Sequence, residues 1–393
     1  MTEKLFYKDS HMQSFEAVVL SCTSSGQGYE VVLDRTAFFP EGGGQAADIG
    51  YLSIAEDGER VCVTDVKERD GIIYHRTMTA VREGSRAAGH IDWEKRFSRM
   101  QQHTGEHIVS GLIHSRFGYN NVGFHLGEEV CTLDLDGPLS KEELKEIEYA
   151  ANQAVFANLP VETLWPSKEE LAEMEYRSKI EIEGAVRIIR IPGYDVCACC
   201  APHVDRTGEI GLVKFVNMQN YKGGVRITMV CGMRALKDYR AKEESVKTIM
   251  FSLAAKEELI ADAVEHLKEE NTSLKSRIAE LQHRQLIGRA EQIPEGTECI
   301  CLFETELAGN GARELMNLVL DRGAGLCGVF VGNAAYGYRY VIGSRESDVR
   351  PLGKRLNESF CGRGGGKPEM VQGSLCGTAE EIKACFMGEN RSF

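Results

Sequence analysis

Two short stretches carry residues able to do chemistry: Gln102-His103-Thr104-Gly105-Glu106-His107 and Cys197-Ala198-Cys199-Cys200-Ala201-Pro202-His203. Histidines four apart on a helix project from one face, so both imidazoles reach one ion. A cysteine and a histidine four apart in a proline-containing loop complete a nitrogen and sulfur donor set that suits zinc. The expected metal ligands are His103, His107, Cys199 and His203. Either half alone is more simply read as surface histidines or buried thiols; the two together favour a metal centre.

The first stretch admits a rival. His103-x-x-Glu106-His107 also fits the His-x-x-Glu-His signature of inverzincin peptidases, with Glu106 as general base and Glu181 or Glu183 as third ligand. That reading leaves the cysteine loop without a role. A non-catalytic RNA-binding protein with a structural zinc is the third possibility.

The elements needed to position these residues are legible. Residues 1–90 read as short strands, Ser14–Cys22, Tyr29–Leu33, Arg60–Val66 and Gly71–Tyr74, with turn clusters between them, among them Asp57-Gly58; this predicts a small β-barrel. Within it, Phe38-Phe39-Pro40-Glu41-Gly42-Gly43-Gly44-Gln45 offers backbone that approaches a ligand closely. A helix is expected from residues 91–94 to Phe117, stopped by Gly118, with Val109, Leu112, Ile113 and Phe117 as its apolar stripe and His114 on the surface. Capping boxes at Ser140-x-x-Glu143 and Ser167-x-x-Glu170 start two further helices. Strands Val122–Leu126, Val130–Leu135, Val186–Ile191, Leu212–Val216 and Val225–Val230 complete a domain over 91–235. Strands and helices mix without βαβ alternation, so the class is α+β.

From Met233 to Glu291 there is no proline, and Leu253, Ile260, Leu267, Leu274 and Leu281 recur every seven residues. This heptad pattern predicts a coiled-coil segment over 236–292, either a hairpin or a homodimer seam. A compact α/β domain over 293–393 follows. There, Gly362-Arg363-Gly364-Gly365-Gly366-Lys367 and the nearby Lys354 and Arg355 form the most basic segment, with backbone donors and cations suited to phosphate.

The net charge of −13 excludes a protein that coats nucleic acid indiscriminately. Thirteen scattered cysteines are no disulfide framework. No stretch reads as a signal peptide or membrane span, so a cytoplasmic protein is expected.

Four stretches together resemble the alanyl-tRNA editing family, the free-standing AlaX proteins and the editing domain of alanyl-tRNA synthetase: the glycine loop Phe38–Gly50, His103-x-x-x-His107, Cys199-x-x-x-His203 with Thr207-Gly208-Glu209-Ile210-Gly211 after it, and Gly362–Gly373. The last resembles the DHH-associated domain of that synthetase. No aminoacylation domain is expected, because the barrel begins at residue 1; the chain looks like the long form of AlaX. The resemblance implies zinc on His103, His107, Cys199 and His203, with Cys199 chosen over Cys197 and Cys200. It implies hydrolysis of tRNA(Ala) mischarged with serine, and secondarily glycine. It also implies that Thr36 distinguishes serine from alanine. The aminoacyl pocket is expected where Thr36 and the Gly42, Gly43, Gly44 and Gln45 turn face the metal, and the clustered cations Lys354, Arg355, Arg363 and Lys367 are expected to grip the tRNA. Departures are Cys199-Cys200-Ala201-Pro202-His203, where the family usually has Cys-Gly-Gly-Thr-His, and Glu106, where it commonly has Gln or Thr. Val122-Gly123-Phe124-His125 is typical of free-standing members. Glu106 is the nearest carboxylate able to orient an attacking water, although its place three residues after His103 favours a brace.

Overall fold

The computed structural model describes residues 1–55, 58–178 and 184–388. Asp57 of one expected turn, and Glu181 and Glu183, lie outside the described residues. The chain divides into two compact units, Met1–Thr248 and Ile249–Phe393.

In the first unit, alternation of apolar and polar residues builds a closed six-stranded barrel. Its strands are β1 (Ser14–Ser25), β2 (Gly28–Leu33), β3 (Gly50–Ile54), β4 (Arg60–Arg69), β5 (Ile72–Thr77) and β6 (Arg86–Ile91), in the order β1-β2-β5-β4-β3-β6. Phe15, Ala17 and Val19 of β1 point inward at period two, joining Leu33, Leu52, Val66 and Ile73 around Phe38. Sequence reasoning missed β3 and β6, which are poor in the bulky β-branched residues that flag the others.

Helix α1 (Trp93–Phe117) starts where the Asp92 carboxylate accepts from the Lys95 N–H and stops at Gly118, which is left-handed at φ 74°. Buried residues occupy every face of it from Met100 to Gly111. One side packs Ile108, Val109 and Ile113 on a four-stranded antiparallel sheet, β12-β13-β8-β7, made of β7 (Asn121–Leu126), β8 (Cys131–Leu135), β12 (Val213–Tyr221) and β13 (Gly224–Cys231). Helix α2 (Lys141–Phe156), opened by the Ser140–Glu143 capping box, closes the same core through Ile147, Ala151 and Ala154. A three-stranded sheet of β9 (Glu162–Leu164), β10 (Ile188–Ile191) and β11 (Asp195–Ala198) runs into the cysteine loop. Two glycines let α1 sit this close to its neighbours: a side chain at Gly105 would meet the Cys231 sulfur, and one at Gly111 would collide with the Tyr194 carbonyl.

Arg96 joins α1 to the barrel. It is fully buried, its guanidinium donating to Asp48 (Nε to Oδ2, 2.9 Å) and to the carbonyls of Ser10 and Ala37. Asp48 in turn accepts from the Phe39 N–H at 2.7 Å. The loop from Ala37 to Asp48 is thereby fastened to the helix that carries His103 and His107.

Helix α3 (Met233–Leu253) is followed by Ala254, left-handed at φ 50°, and helix α4 (Ile260–Glu291) begins six residues on. The heptad is thus not one uninterrupted helix: Ile260, Leu267, Leu274 and Leu281 belong to α4, and Leu253 ends α3. In the second unit, β14 (Cys299–Glu304), β15 (Leu326–Asn333), β16 (Gly337–Ser344), β17 (Arg363–Lys367) and β18 (Met370–Leu375) form one sheet in the order β14-β15-β16-β18-β17. Only β14 and β15 are parallel, linked by α5 (Gly311–Asp321). Helix α5 and the end of α4 cover one face; α6 (Arg350–Ser359) and α7 (Ala379–Met387) cover the other. The glycine-rich stretch at Arg363–Lys367, expected as a phosphate-gripping loop, is instead an edge strand, because each of its residues pairs in register with β18. Among the described residues no helix is long and apolar enough to cross a membrane.

Candidate metal centre

Helix α1 delivers His103 and His107, and the turn after β11 delivers Cys199 and His203; one ligand atom from each lies within 4.8 Å of all the others. The Cys199 sulfur is 3.6 Å from His103 Nε2 and 3.4 Å from His203 Nε2. All three imidazoles are buried, at 3% exposure each.

What fits this group to a metal is the other nitrogen of each ring. His103 Nδ1 lies 3.1 Å from Gln45 Oε1, His107 Nδ1 2.9 Å from Asp195 Oδ2, and His203 Nδ1 3.0 Å from Thr104 Oγ1. Gln45 Oε1 and the Asp195 carboxylate can only accept, so His103 and His107 each carry a proton on Nδ1 and present Nε2 to the centre. Thr104 Oγ1, which also accepts from the Val204 N–H at 3.3 Å, holds the His203 ring through its Nδ1.

The electrostatics agree. Burial alone would raise the Cys199 thiol, but the His103 and His203 imidazoles pull it well below the ordinary thiol range. Burial alone would lower His107, but the sulfurs of Cys197 and Cys199 and the Asp195 carboxylate hold it well above the usual imidazole value. Burial pushes His203 down to about 3, against the pull of Cys199. A thiolate and the neutral His203 imidazole, beside a His107 whose surroundings favour positive charge, suit a borderline dication such as zinc, which would take the place of the His107 proton.

Asp195 is itself anchored. Arg177 donates to it through Nε (2.8 Å) and Nη2 (3.0 Å), and His107 together with Arg177 keeps its carboxyl below the usual range despite burial. Neither Asp195, Thr104 nor Arg177 belongs to a recognisable spacing, so sequence reasoning gave them no role. Asp195 and Cys197 also form a second close group with His107.

Glu106 is buried but lies outside the donor group. It accepts from Ser110 Oγ at 2.5 Å and from the Asn121 amide, and Asn121 also reaches Ser110. His114 is exposed, with Nδ1 3.2 Å from the Tyr119 carbonyl.

The glycine loop reaches the site through Gln45. Gly42 and Gln45 exchange backbone hydrogen bonds around left-handed Gly43 and Gly44, and the Leu126 N–H donates to the Gly44 carbonyl. The Gln45 side chain is 1% exposed, and its Nε2 has no hydrogen-bond partner among the described residues. Thr36 lies inside the barrel with its oxygen 2.8 Å from His75 Nε2. Since His75 Nδ1–H donates to the Val31 carbonyl at 3.0 Å, Nε2 accepts, so the Thr36 hydroxyl donates to it while accepting from the Phe38 N–H.

The four basic residues expected to act together are separated. Lys354 projects from α6, Arg355 turns inward to donate to the Cys385 carbonyl at 3.0 Å, and Arg363 and Lys367 stand on β17.

Residues 186–228, which hold Cys199 and His203, match the family described as threonyl and alanyl tRNA synthetase second additional domain. Residues 3–95, the barrel, match tRNA synthetases class II (A). The alanine–tRNA ligase of Halobacterium salinarum is 32% identical over 360 residues, covering 87% of this chain and 38% of that protein. That of Pyrococcus abyssi is 30% identical over 395 residues, covering 95% and 42%. This chain is homologous to alanyl-tRNA synthetase. The alanine–tRNA ligase of Halorubrum lacusprofundi is 37% identical over 255 residues, 62% of this chain. In these three comparisons the matched region spans between 27% and 42% of the relative's length.

Proposed function

We propose that this chain is an AlaX-type editing hydrolase that deacylates tRNA(Ala) mischarged chiefly with serine and secondarily with glycine. The observation that carries the reading is the convergence of His103, His107, Cys199 and His203, with all three Nδ1 atoms tied down, in a chain homologous to alanyl-tRNA synthetase. When bound, zinc supplies Lewis acidity toward the ester carbonyl. The protein's own part is to hold the site. Gln45, Asp195 and Thr104 fix the rings, and Glu106 with Ser110 and Asn121 stiffens α1 between the two histidines. The Gly42–Gln45 turn borders the aminoacyl pocket, and Thr36, its proton given to His75, offers only acceptor capacity toward a seryl hydroxyl. The division into barrel (1–90), editing domain (91–235), coiled-coil segment (236–292) and DHH-associated domain (293–393) belongs to this proposal, as do a cytoplasmic location and a homodimer.

The deciding assay measures serine release from Ser-tRNA(Ala), with and without a zinc chelator, beside casein cleavage by the same preparation. Chelator-sensitive serine release alone supports the proposal. Casein cleavage alone would establish the inverzincin reading, which the engagement of Glu106 by Ser110 and Asn121 argues against. Zinc and RNA binding with neither activity would leave a structural metal.

A further inference from the structure

Four of the thirteen cysteines are exposed: Cys62, Cys200, Cys361 and Cys376. Cys62 stands on β4 and Cys200 in the cysteine loop, but Cys361 and Cys376 border a single cleft of about 400 Å³ in the second unit. No step proposed above uses either thiol.

The backbone brings the two together. Cys361 follows α6 directly at φ 50°, and the next N–H, that of Gly362, returns to the Asn357 carbonyl at 2.8 Å. This is the helix-ending turn whose left-handed residue is usually glycine, because a β-carbon is strained there. Gly362 then presses on β18: a side chain on it would meet the Ser374 carbonyl at 2.8 Å. Cys376 arrives from the end of β18, and its N–H donates to the Phe360 carbonyl at 3.0 Å. That bond holds the peptide entering Cys361 against the Cys376 backbone. Standard peptide dimensions then keep the two α-carbons within roughly 7 Å, the limit inside which two cysteines can be bridged.

The side chains share a wall of the cleft. Tyr338 of β16 pairs with Leu375, so the next position along β18, Cys376, stands opposite Gly337. A β-carbon on Gly337 would come within 3.3 Å of the Cys376 sulfur, which therefore lies over bare glycine backbone. Cys361 borders the same space, with Tyr336 and Arg339. The strand between the two cysteines, β17, pairs with β18 alone, and all five of its residues are exposed. Its hydrogen bonds can open with little loss of buried surface.

We infer that Cys361 and Cys376 are an oxidisable pair that closes to a disulfide across the open end of the β17–β18 hairpin and staples the edge strand in place. The co-reactant is a low-molecular-weight disulfide. One cysteine, as thiolate, attacks a sulfur of the reagent, forming a mixed disulfide and expelling one thiolate. The second cysteine, also deprotonated, attacks the first cysteine's sulfur, forming the bridge and expelling the other thiolate. The two protons lost by the cysteines end on the two expelled thiols; the pair is oxidised and the reagent reduced. Excess small thiol runs the exchange backwards, so the staple is reversible. It is independent of the editing reading, since no residue of the metal centre takes part.

The test equilibrates the full-length chain with graded ratios of reduced to oxidised glutathione, quenches by alkylation and maps disulfides by non-reducing digestion and mass spectrometry. Cys361 should be found joined to Cys376 within one chain, while Cys62, exposed without such a neighbour, carries glutathione singly. Amide exchange over residues 363–367 should slow about tenfold or more in the oxidised chain. Cys361→Gly suits the left-handed position, so it should keep the melting temperature, abolish the link, leave Cys376 singly glutathionylated and make the exchange indifferent to oxidant. Cys376→Ser should do the same from the other side. The inference is overturned if Cys361 and Cys376 each hold glutathione at every ratio without joining, if both stay reduced while Cys62 is modified, or if either joins only another copy of the chain. A link that forms without slowing the exchange overturns the staple.

Discussion

His107 Nδ1 sits 2.9 Å from Asp195 Oδ2, and both side chains are buried. The carboxylate that orients this ring is held from its other side by Arg177. The relationship crosses 88 residues of sequence and ties helix α1 to strand β11, the two elements that must meet for a metal to bind.

Asp195→Ala should therefore lower zinc affinity by about 10–100-fold, the usual cost of losing an orienting partner. Asp195→Asn, which keeps an acceptor, should lose less, and Gln45→Leu should resemble Asp195→Ala because it strips the acceptor from His103 Nδ1. Competition with a chromophoric chelator measures all three. Affinities equal to wild type would mean that the rings are held by packing alone.

Thr36→Val removes the donor to His75 and the acceptor for the Phe38 N–H, so a stability loss of about 1–3 kcal/mol is expected. If Thr36 also reads the seryl hydroxyl, the ratio of Ser-tRNA(Ala) to Ala-tRNA(Ala) deacylation rates should fall in the same variant. A destabilised protein with an unchanged ratio would confine Thr36 to the barrel.

Burial pushes His75 down to about 4, only partly offset by its bond to the Val31 carbonyl. Between pH 6.5 and 4 the unfolded chain then binds the proton that the folded chain refuses. Its contribution is intact above 6.5, declines as pH falls through that window, and levels off below 4. The full span is about 3 kcal/mol. Denaturant unfolding at pH 7 and pH 5 should show a loss on acidification that is smaller in His75→Phe. An equal loss in both would assign the acid sensitivity to other groups.

Along α4, Leu267, Leu274, Ile278 and Leu281 are 50–57% exposed. If this stripe is the proposed dimer seam, Leu267→Lys should shift sedimentation from dimer to monomer without altering zinc content. A wild-type protein that sediments as a monomer at all concentrations would remove the seam.

Local signals fared best in the sequence. The start and stop of α1 were visible because Asp92 and Gly118 act on their own neighbours, and the Ser140 and Ser167 capping boxes for the same reason. Two features were hidden by averaging: the break at Ala254, where a good helix former takes a left-handed turn, and the strand Arg363–Lys367, whose glycines have low strand propensity although Gly364 and Gly366 are dictated by tight packing on β18. At the site, the four-residue spacings of histidine and cysteine were legible. Asp195, Thr104 and Arg177 were not, because their partners lie about 20 to 100 residues away and only the folded chain sets them side by side.

The burial of Arg96 has a consequence for synthesis. The barrel strands leave the ribosome before Arg96 does, and until α1 arrives Asp48 has no guanidinium to balance its charge. The Ala37–Asp48 loop of a nascent chain arrested at Ile91 should consequently be cut by protease, and become resistant once residues through Phe117 have emerged. The glycine loop is thus finished late, by the helix that brings the first two ligands, and an early-terminated chain would present neither half of the site.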